Sequence, residues 1–331
     1  MKLFDKSIAA VVVTYNRKNL LIACLAGLVK QTKSLSTIFI IDNFSNDETH
    51  QLLYKEGFID KTPPIQSSRP WIAKSFYNPS PGSKIKLQAI EIIYVRMFKN
   101  TGGAGGFYEG VRRAHLSGFD WVWLMDDDVS PDKNCLSTLI QEAKDSKCIH
   151  PSRCNENGSI YLWNHTFEPI TGIGFNFPYF EKGVKPNTYI NYGCFEGMLI
   201  HKDVIDQIGY PPKNYFICAD DTQYGFKASL ITNVKYTKLA KMKRLQEGIT
   251  ETAAWKVYYI IRNRIWLFKD VIQILNFKKR KFFRLFQAMM IVFWLFLAIK
   301  WSFKNWRFLI PALKGYRDGL MYNSKEKEFF N

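Results

Sequence analysis

Two short stretches hold residue types that could bind an activated, phosphate-bearing substrate. Residues 100–107 read NTGGAGGF, and residues 123–129 read WLMDDDV. A glycine-rich turn lets the backbone approach a ligand, because no Cβ stands in the way. Three carboxylates at the mouth of an apolar strand can hold a divalent cation against a diphosphate. Together, and in this order, they imply a site for a nucleotide sugar.

An acidic run is more often a solvated loop, but Asp126, Asp127 and Asp128 end an apolar strand of Trp121, Val122, Trp123, Leu124 and Met125. Adjacent carboxylates at such a place repel one another unless a cation joins them. Strand alternation puts Asp126 and Asp128 on one face and Asp127 on the other. Asp126 and Asp128 are therefore the expected ligands of Mn2+ or Mg2+, and Asp127 is expected to meet the ribose or the donor sugar. NTGGAGGF lacks the Lys-Ser/Thr ending of a P-loop. It also does not follow the first strand, where residues 15–17 are Tyr-Asn-Arg, so ATPase and dinucleotide-binding readings lose ground.

A second acidic pair, Asp220 and Asp221, opens a helix pattern. It can be read as two N-terminal helix acids favoured by the dipole. It can equally be a general base, since neighbouring carboxylates raise one another's pKa and keep one ready to take a hydroxyl proton. The five histidines form no close-spaced ligand pair, and no GxSxG elbow occurs, which argues against zinc hydrolases and serine esterases.

The elements that must position these residues alternate. Ile8–Thr14 and Thr37–Asp42 are apolar, β-branched runs of the kind buried on both faces of a parallel sheet. Helical spacing follows each, over 19–30 and over 46–54, the latter opened by Ser45 or Asn46 as a cap. Residues 61–85, rich in Pro and Ser, read as an inserted loop. Strands are expected at 91–98, 121–125 and 195–201, and a helix over 106–117. This is an α/β pattern, a mainly parallel sheet flanked by helices. Its ligands are expected at the carboxyl ends of the strands, where Thr14, Asp42, Asn100 and Asp126 all fall.

The chain has 331 residues and a net charge of +17. The charge is uneven, since residues 241–331 hold 19 Lys/Arg against 6 Asp/Glu. So localised an excess suggests an anionic partner for that segment. Residues 285–299 (LFQAMMIVFWLFLAI) are nearly all apolar with basic flanks, short for a bilayer span and suited to an interfacial helix with snorkelling Lys and Arg. The basic residues flank an apolar run instead of alternating with spaced aromatics, so no nucleic-acid partner is expected. The expected division is a catalytic unit over 1–245, its halves 1–128 and 129–245, and a basic helical membrane-associating region over 246–331. Six cysteines without a CxxC pair, and an N-terminus that does not read as a signal peptide, suggest a cytoplasmic protein.

The order of motifs resembles the family 2 inverting glycosyltransferases of the GT-A fold, and within them the galactofuranosyltransferase branch. The motifs are VVVTYNR, an acid ending the second strand, NxGGAGGF, WLMDDDV and FxxxDDxxYGxK, over roughly residues 7–265. Trp255, Tyr258, Tyr259, Arg262 and Asn263 resemble that branch too. The resemblance implies that Thr14 and Arg17 contact the uridine and its phosphate, and that Asp42 reads the uracil or ribose. Asn100, with Gly102 and Gly103, would line the donor site, Asp126 and Asp128 would place Mn2+ or Mg2+ on the diphosphate, and Asp221 would be the base. It further implies a UDP-sugar donor and a lipid-linked glycan acceptor, while the basic C-terminal segment makes an anionic membrane surface the other expected partner. The family usually has a metal-binding histidine about 25 residues after the base; here the stretch is Lys243-Arg244-Leu245-Gln246-Glu247. Either Gln246 or Glu247 would stand in for it, or the metal would be held more weakly.

Overall fold

The computed structural model describes residues 7–65, 67–77, 90–155, 157–161, 163, 165, 166–175, 187–246, 253–275 and 305–322, with 288–290, 292, 293, 295, 296, 299 and 300. Its centre is strand β1 (Ile8–Thr14), buried at every position. It lies parallel to β2 (Thr37–Asp42) on one side and to β5 (Trp121–Asp126) on the other. β4 (Glu91–Arg96) extends the parallel part beyond β2, and β3 (Trp71–Phe76) closes that edge antiparallel to β4.

Past β5 the sheet becomes mixed. β11 (Leu199–His201) runs antiparallel to both β5 and β7 (Cys148–Cys154), and β12 (Val234–Arg244) lies parallel to β7. β10 (Asn187–Ile190) and the short β6 (Val129–Pro131) pair antiparallel with β12. β8 (Thr166–Glu168) and β9 (Ile173–Phe175) form a separate hairpin.

Side chains of β1 alternate between two cores, as the period of a strand requires. Ala10 and Val12 face Leu21 and Leu25 of α1 (Lys18–Val29) and Leu136 and Leu139 of α4 (Cys135–Glu142). Val11 and Val13 face Phe107 and Val111 of α3 (Gly102–Leu116), together with residues of α5 (Lys202–Ile208) and α6 (Asp220–Ser229). The register aligns Thr14 with Asp42, Asp42 with Arg96, and Val13 with Asp126. The acid-bearing carboxyl ends therefore form one row.

Several expectations are corrected. The loop expected over 61–85 contains β3, whose buried Ala73 and Ser75 alternate with exposed neighbours as an edge strand allows; residues 78–89 lie outside the described residues. α2 is Thr49–Lys55 and begins after Glu48 at φ 65°, without a side-chain cap. Ser45 instead accepts from Asn16 N at 3.0 Å. The strand expected over 195–201 starts at Leu199, because Gly197 (φ 103°) turns the chain; a Cβ there would lie 2.5 Å from Pro151 and Met242. The glycine-rich stretch is no open turn but the start of α3. Cβ atoms on Gly106 and Gly110 would come within 2.5 and 2.3 Å of Val13 and Val11, so these glycines let the helix lie close on β1.

The C-terminal segment adds α7 (Ala254–Ile274) and α8 (Leu309–Met321). Among the described residues no helix is long and apolar enough to cross a membrane. Much of 285–299 lies outside the described residues. Of those described, Met289, Val292, Phe293 and Phe296 are exposed, while Met290 is buried with Phe268 and Ile272.

Candidate functional site

Near the row of strand ends lie two acidic clusters, and Glu196 acts on both of them, on Asp126 and on Asp221. The first follows β5, which ends at Asp126; Asp127 and Asp128 form a turn into β6. Strand alternation thus stops before Asp128, and the turn aims these side chains. Asp127 is 3% exposed, accepting from Thr14 Oγ1 at 2.7 Å and from Arg17 Nη1 at 3.2 Å. Arg17 Nη1 also reaches Asp128 Oδ2 at 3.0 Å. Asp127 therefore anchors β5 to β1, both of its oxygens accepting from Thr14 and Arg17. Thr14, 1% exposed, is spent on the same anchor, whereas Arg17 remains partly open to the cleft.

Burial marks Asp126, and an unpartnered oxygen marks Asp128. Burial pushes the Asp126 carboxyl well above the usual range, and Asp128, Glu196 and Asp127 push the same way. Burial raises Asp127 to about 6 against the opposing pull of Arg17 and Thr14. Asp128 Oδ1 is buried and meets no hydrogen-bond donor. An orphaned carboxylate oxygen beside a second, buried carboxyl, in a cluster of three acids with one arginine, fits a divalent cation. Among the described residues no set of three His, Cys, Asp or Glu side chains converges into a full cage. Two carboxylates suit an ion of the Mg2+ type, which takes its remaining oxygens from substrate phosphates and water. Gln246 is exposed, and Glu247 lies outside the described residues.

Asp42 is placed differently from the expectation. It is fully buried, with Oδ1 accepting from Ser45 N at 2.7 Å and Oδ2 from Tyr94 OH at 2.5 Å, while Arg96 Nη1 lies 3.6 Å away. Its work is to order the loop after β2. That loop presents Asn43, which donates to Gly102 O at 2.8 Å and to Asn100 Oδ1 at 3.2 Å and accepts from Thr101 N at 2.9 Å. Asn100 Oδ1 also takes Gly102 N at 2.8 Å. A Cβ on Gly102 (φ 73°) would sit 2.0 Å from Phe216 O, and Ala104 N donates to that oxygen at 3.0 Å. The start of α3 is thus locked to the loop before α6. Of the two glycines expected at the donor, Gly102 is committed to this contact and only Gly103 faces open space.

The second cluster opens α6. Phe216, Cys218 and Ala219 all have positive φ, and two α7 side chains hold this strained loop. Asn263 Nδ2 donates to the carbonyls of Tyr215, Ile217 and Cys218 at 2.9, 2.6 and 3.0 Å. Arg262 Nη2 donates to Tyr215 O at 2.7 Å. The loop delivers Asp220 and Asp221 to the first turn of α6. Asp220 is driven well upward by burial and by Asp221. Burial lifts Asp221 to about 6, with Glu196 adding to the rise and Thr222 and Arg153 opposing it. Asp221 Oδ1 accepts from Thr222 N at 2.6 Å.

Sequence reasoning missed Asn43, Glu196, Arg153 and Arg244. The signal available was a lone charge inside an apolar stretch, as in Cys194-Phe195-Glu196-Gly197-Met198.

A mixed sheet between helices, with acids at the end of its central strands and a second acidic pair opening α6, is the architecture of the GT-A glycosyltransferases. A crystal structure of GalNAc-T7 with UDP, GalNAc and Mn2+ shares that fold, with a TM-score of 0.52 at 12% identity over 81% of this chain and 48% of that one. The chain belongs to glycosyl transferase family 2, whose sequence profile matches residues 9–60 and 78–209, more than half its length. Galactofuranosyltransferase GlfT1 of Mycolicibacterium smegmatis is 26% identical over 229 residues, 65% of this chain and 63% of that protein. GlfT1 of Mycobacterium tuberculosis is 27% identical over 224 residues, 66% of this chain and 63% of that one. The chain therefore spans less than two thirds of the length of these curated relatives.

Proposed function

We propose that this protein is a metal-dependent inverting glycosyltransferase that moves galactofuranose from UDP-galactofuranose to a hydroxyl of a lipid-linked glycan. The observation that carries the reading is the pairing of two acidic clusters, both next to Glu196, in a family 2 chain. One leaves a buried carboxylate oxygen of Asp128 without a donor, and the other holds a carboxyl whose pKa is raised to about 6.

Asp126 and Asp128 would hold Mn2+ or Mg2+, which when bound neutralises the diphosphate and stabilises departing UDP. Arg17 is placed to swing from the carboxylates to a phosphate, and Gly103 leaves room for the donor beside α3. Asp221 spends Oδ1 on Thr222, leaving Oδ2 to take the acceptor's hydroxyl proton as that oxygen attacks the anomeric carbon. A base with a pKa near 6 is ionised at neutral pH yet still basic enough to draw on that proton.

A lipid-borne acceptor requires the cleft to be held at a membrane, and we place the protein peripherally on the cytoplasmic face. The outward side of α8 and the turn before it supports this. It exposes Trp306, Leu309, Ile310, Leu313, Leu320 and Met321 among Arg307, Lys314 and Arg317. The inward side is Ala312, Gly315 and Gly319, packed on α7. Apolar residues and cations together on the outer side suit an anionic lipid surface.

The test is incubation with UDP-galactofuranose, a panel of other nucleotide sugars and a cell-envelope extract, followed by linkage analysis. Incorporated galactofuranose with inverted configuration is expected. Transfer from another donor alone would overturn the choice of sugar, and glycan binding without any turnover would overturn the enzymatic reading.

A further inference from the structure

One carboxylate in the cleft is still without a task. Glu196 lies on a segment that bridges the two acidic clusters. At one end a Cβ on Gly193 would meet Asp221 O at 2.2 Å and the Gly225 backbone at 2.8 Å, so the chain crosses directly over the first turns of α6. At the other end Gly197 N donates to Leu124 O at 2.8 Å, and Trp123 Nε1 donates to Gly197 O at 3.1 Å. Leu124 lies on β5, two residues before Asp126.

The surroundings of Glu196 are built, not incidental. Arg153, 3% exposed in its side chain, donates Nη1 to Glu196 Oε2. Arg244 Nε lies 3.7 Å from the same oxygen, and its guanidinium sits 4.0 Å over the Tyr161 ring. Arg244 Nε and Nη1 are buried without an acceptor. The next residue, Leu245, donates its N–H to Asp128 O at 2.8 Å, which ties this arginine wall to the Asp126–Asp128 turn. Both arginines approach Oε2, so Oε1 is left to a donor from outside.

A third carboxylate between two acidic clusters costs energy through burial and like-charge repulsion, and two buried guanidiniums are spent on keeping it there. Chemistry supplies the reason. In a transfer between a diphosphate at Asp126 and Asp128 and a hydroxyl at Asp221, the migrating sugar must lie between the two. A sugar presents neighbouring hydroxyls, and a carboxylate accepts such O–H donors in strong, charge-assisted hydrogen bonds. We propose that Glu196, held in place by Arg153 and Arg244, binds the hydroxyls of the sugar being transferred and thereby selects the donor. This rests on the reading of the cleft as a nucleotide-sugar site. The upward pull of Glu196 on both Asp126 and Asp221 is consistent with its place between them.

The experiment is calorimetry with Mn2+ present, titrating UDP, UDP-galactofuranose and its monodeoxy analogues into wild type, E196Q and E196D. E196Q keeps an oxygen for Arg153; E196D keeps the charge but withdraws it by one methylene, and carries the test if E196Q does not fold. UDP affinity should stay near wild type in both. The gain in affinity from UDP to the intact donor should fall on the order of 10-fold to 100-fold, the usual weight of a hydrogen bond to a charged group. One deoxy analogue should cost wild type a comparable factor and cost the variants nothing. Equal losses for UDP and donor, or none for either, would overturn the role of Glu196 while leaving the donor site standing. A wild-type protein that binds neither UDP nor any donor would instead remove the nucleotide-sugar reading, and this inference with it.

Discussion

Asp128 and Asp221 are carboxylates of one cleft whose surroundings ask opposite things of them. Asp128 has a buried oxygen without a donor beside an Asp126 pushed upward by burial and by its acidic neighbours, so its charge is useful once a cation arrives. D128A should therefore abolish transfer and remove the Mn2+ dependence of UDP binding in calorimetry; full activity in EDTA would end the metal assignment. Asp221 has its pKa raised to about 6 by burial. If it is the base, D221N should lower kcat by roughly 10²–10⁴ with UDP affinity unchanged. The acid limb of the wild-type rate profile should then rise through about pH 6. The same shift sets a stability signature. A carboxyl with a raised folded pKa holds its proton more tightly in the folded state. Stability is thus lost as pH climbs from the unfolded value of about 4 to the folded one. D221N escapes that loss, so it should melt above wild type at pH 7.5 and level with it below pH 4. A mere helix acid would give neither effect, since its removal would cost up to about 1 kcal/mol and spare turnover.

Among the elements, α3 and α7 do the positioning. The glycines of α3 fall into two kinds, and substitution separates them. G106A would drive a Cβ to within 2.5 Å of Val13 and should destabilise by roughly 1–3 kcal/mol in urea unfolding, with overpacking as the cause. A Cβ on Gly103 would meet nothing, so G103A should raise stability by up to about 1 kcal/mol through helix propensity. If the donor lies against this turn, G103A should nevertheless weaken donor binding, and unaltered affinity would move the donor elsewhere. α7 acts at a distance from any ligand. Asn263 donates to three carbonyls of the strained loop that delivers Asp220 and Asp221, sharing that of Tyr215 with Arg262. N263A should lower kcat while leaving UDP affinity intact, and cost about 1–3 kcal/mol for carbonyls left unmet. A variant that melts lower with wild-type kcat would show the loop geometry to be dispensable.

At the scale of the whole molecule, the C-terminal helices join the catalytic body to a second surface. Tyr215 and Gln223 donate to the fully buried Asp270 on α7, as does Tyr322 just after α8, at 2.8, 3.0 and 2.8 Å. Lys269 donates to the carbonyls that end α8. The inner side of α8 is thereby committed to the enzyme, and its outer side carries the apolar and basic residues. Full-length protein should sediment with vesicles containing anionic lipid and leave them as salt is raised, each basic residue near the surface contributing about 1 kcal/mol. The double variant I310E/L313E should weaken that binding and leave the melting temperature within a few degrees of wild type, both positions being solvent-facing. Indifference to anionic vesicles at low salt would overturn the membrane assignment.

The residues alone determined the parallel core and the row of acids at its edge. Continuous apolar runs ending in Thr14, Asp42 and Asp126 fit strands buried on both faces of such a sheet, and burial fixes their register. They also indicated the acidic pair on α6, because two acids before a helical pattern mark a helix start. Chain folding decided what each acid does. Asp42 and Asp127 look like ligand contacts in the sequence, yet Tyr94, Arg96, Thr14 and Arg17 consume them. Glu196 looks like nothing in the sequence, yet arrives between the two clusters beside Arg153 and Arg244. Local periodicity reports which face a residue takes. Whether a carboxylate is neutralised or left for a ligand depends on charges brought from distant positions, and no local pattern encodes those.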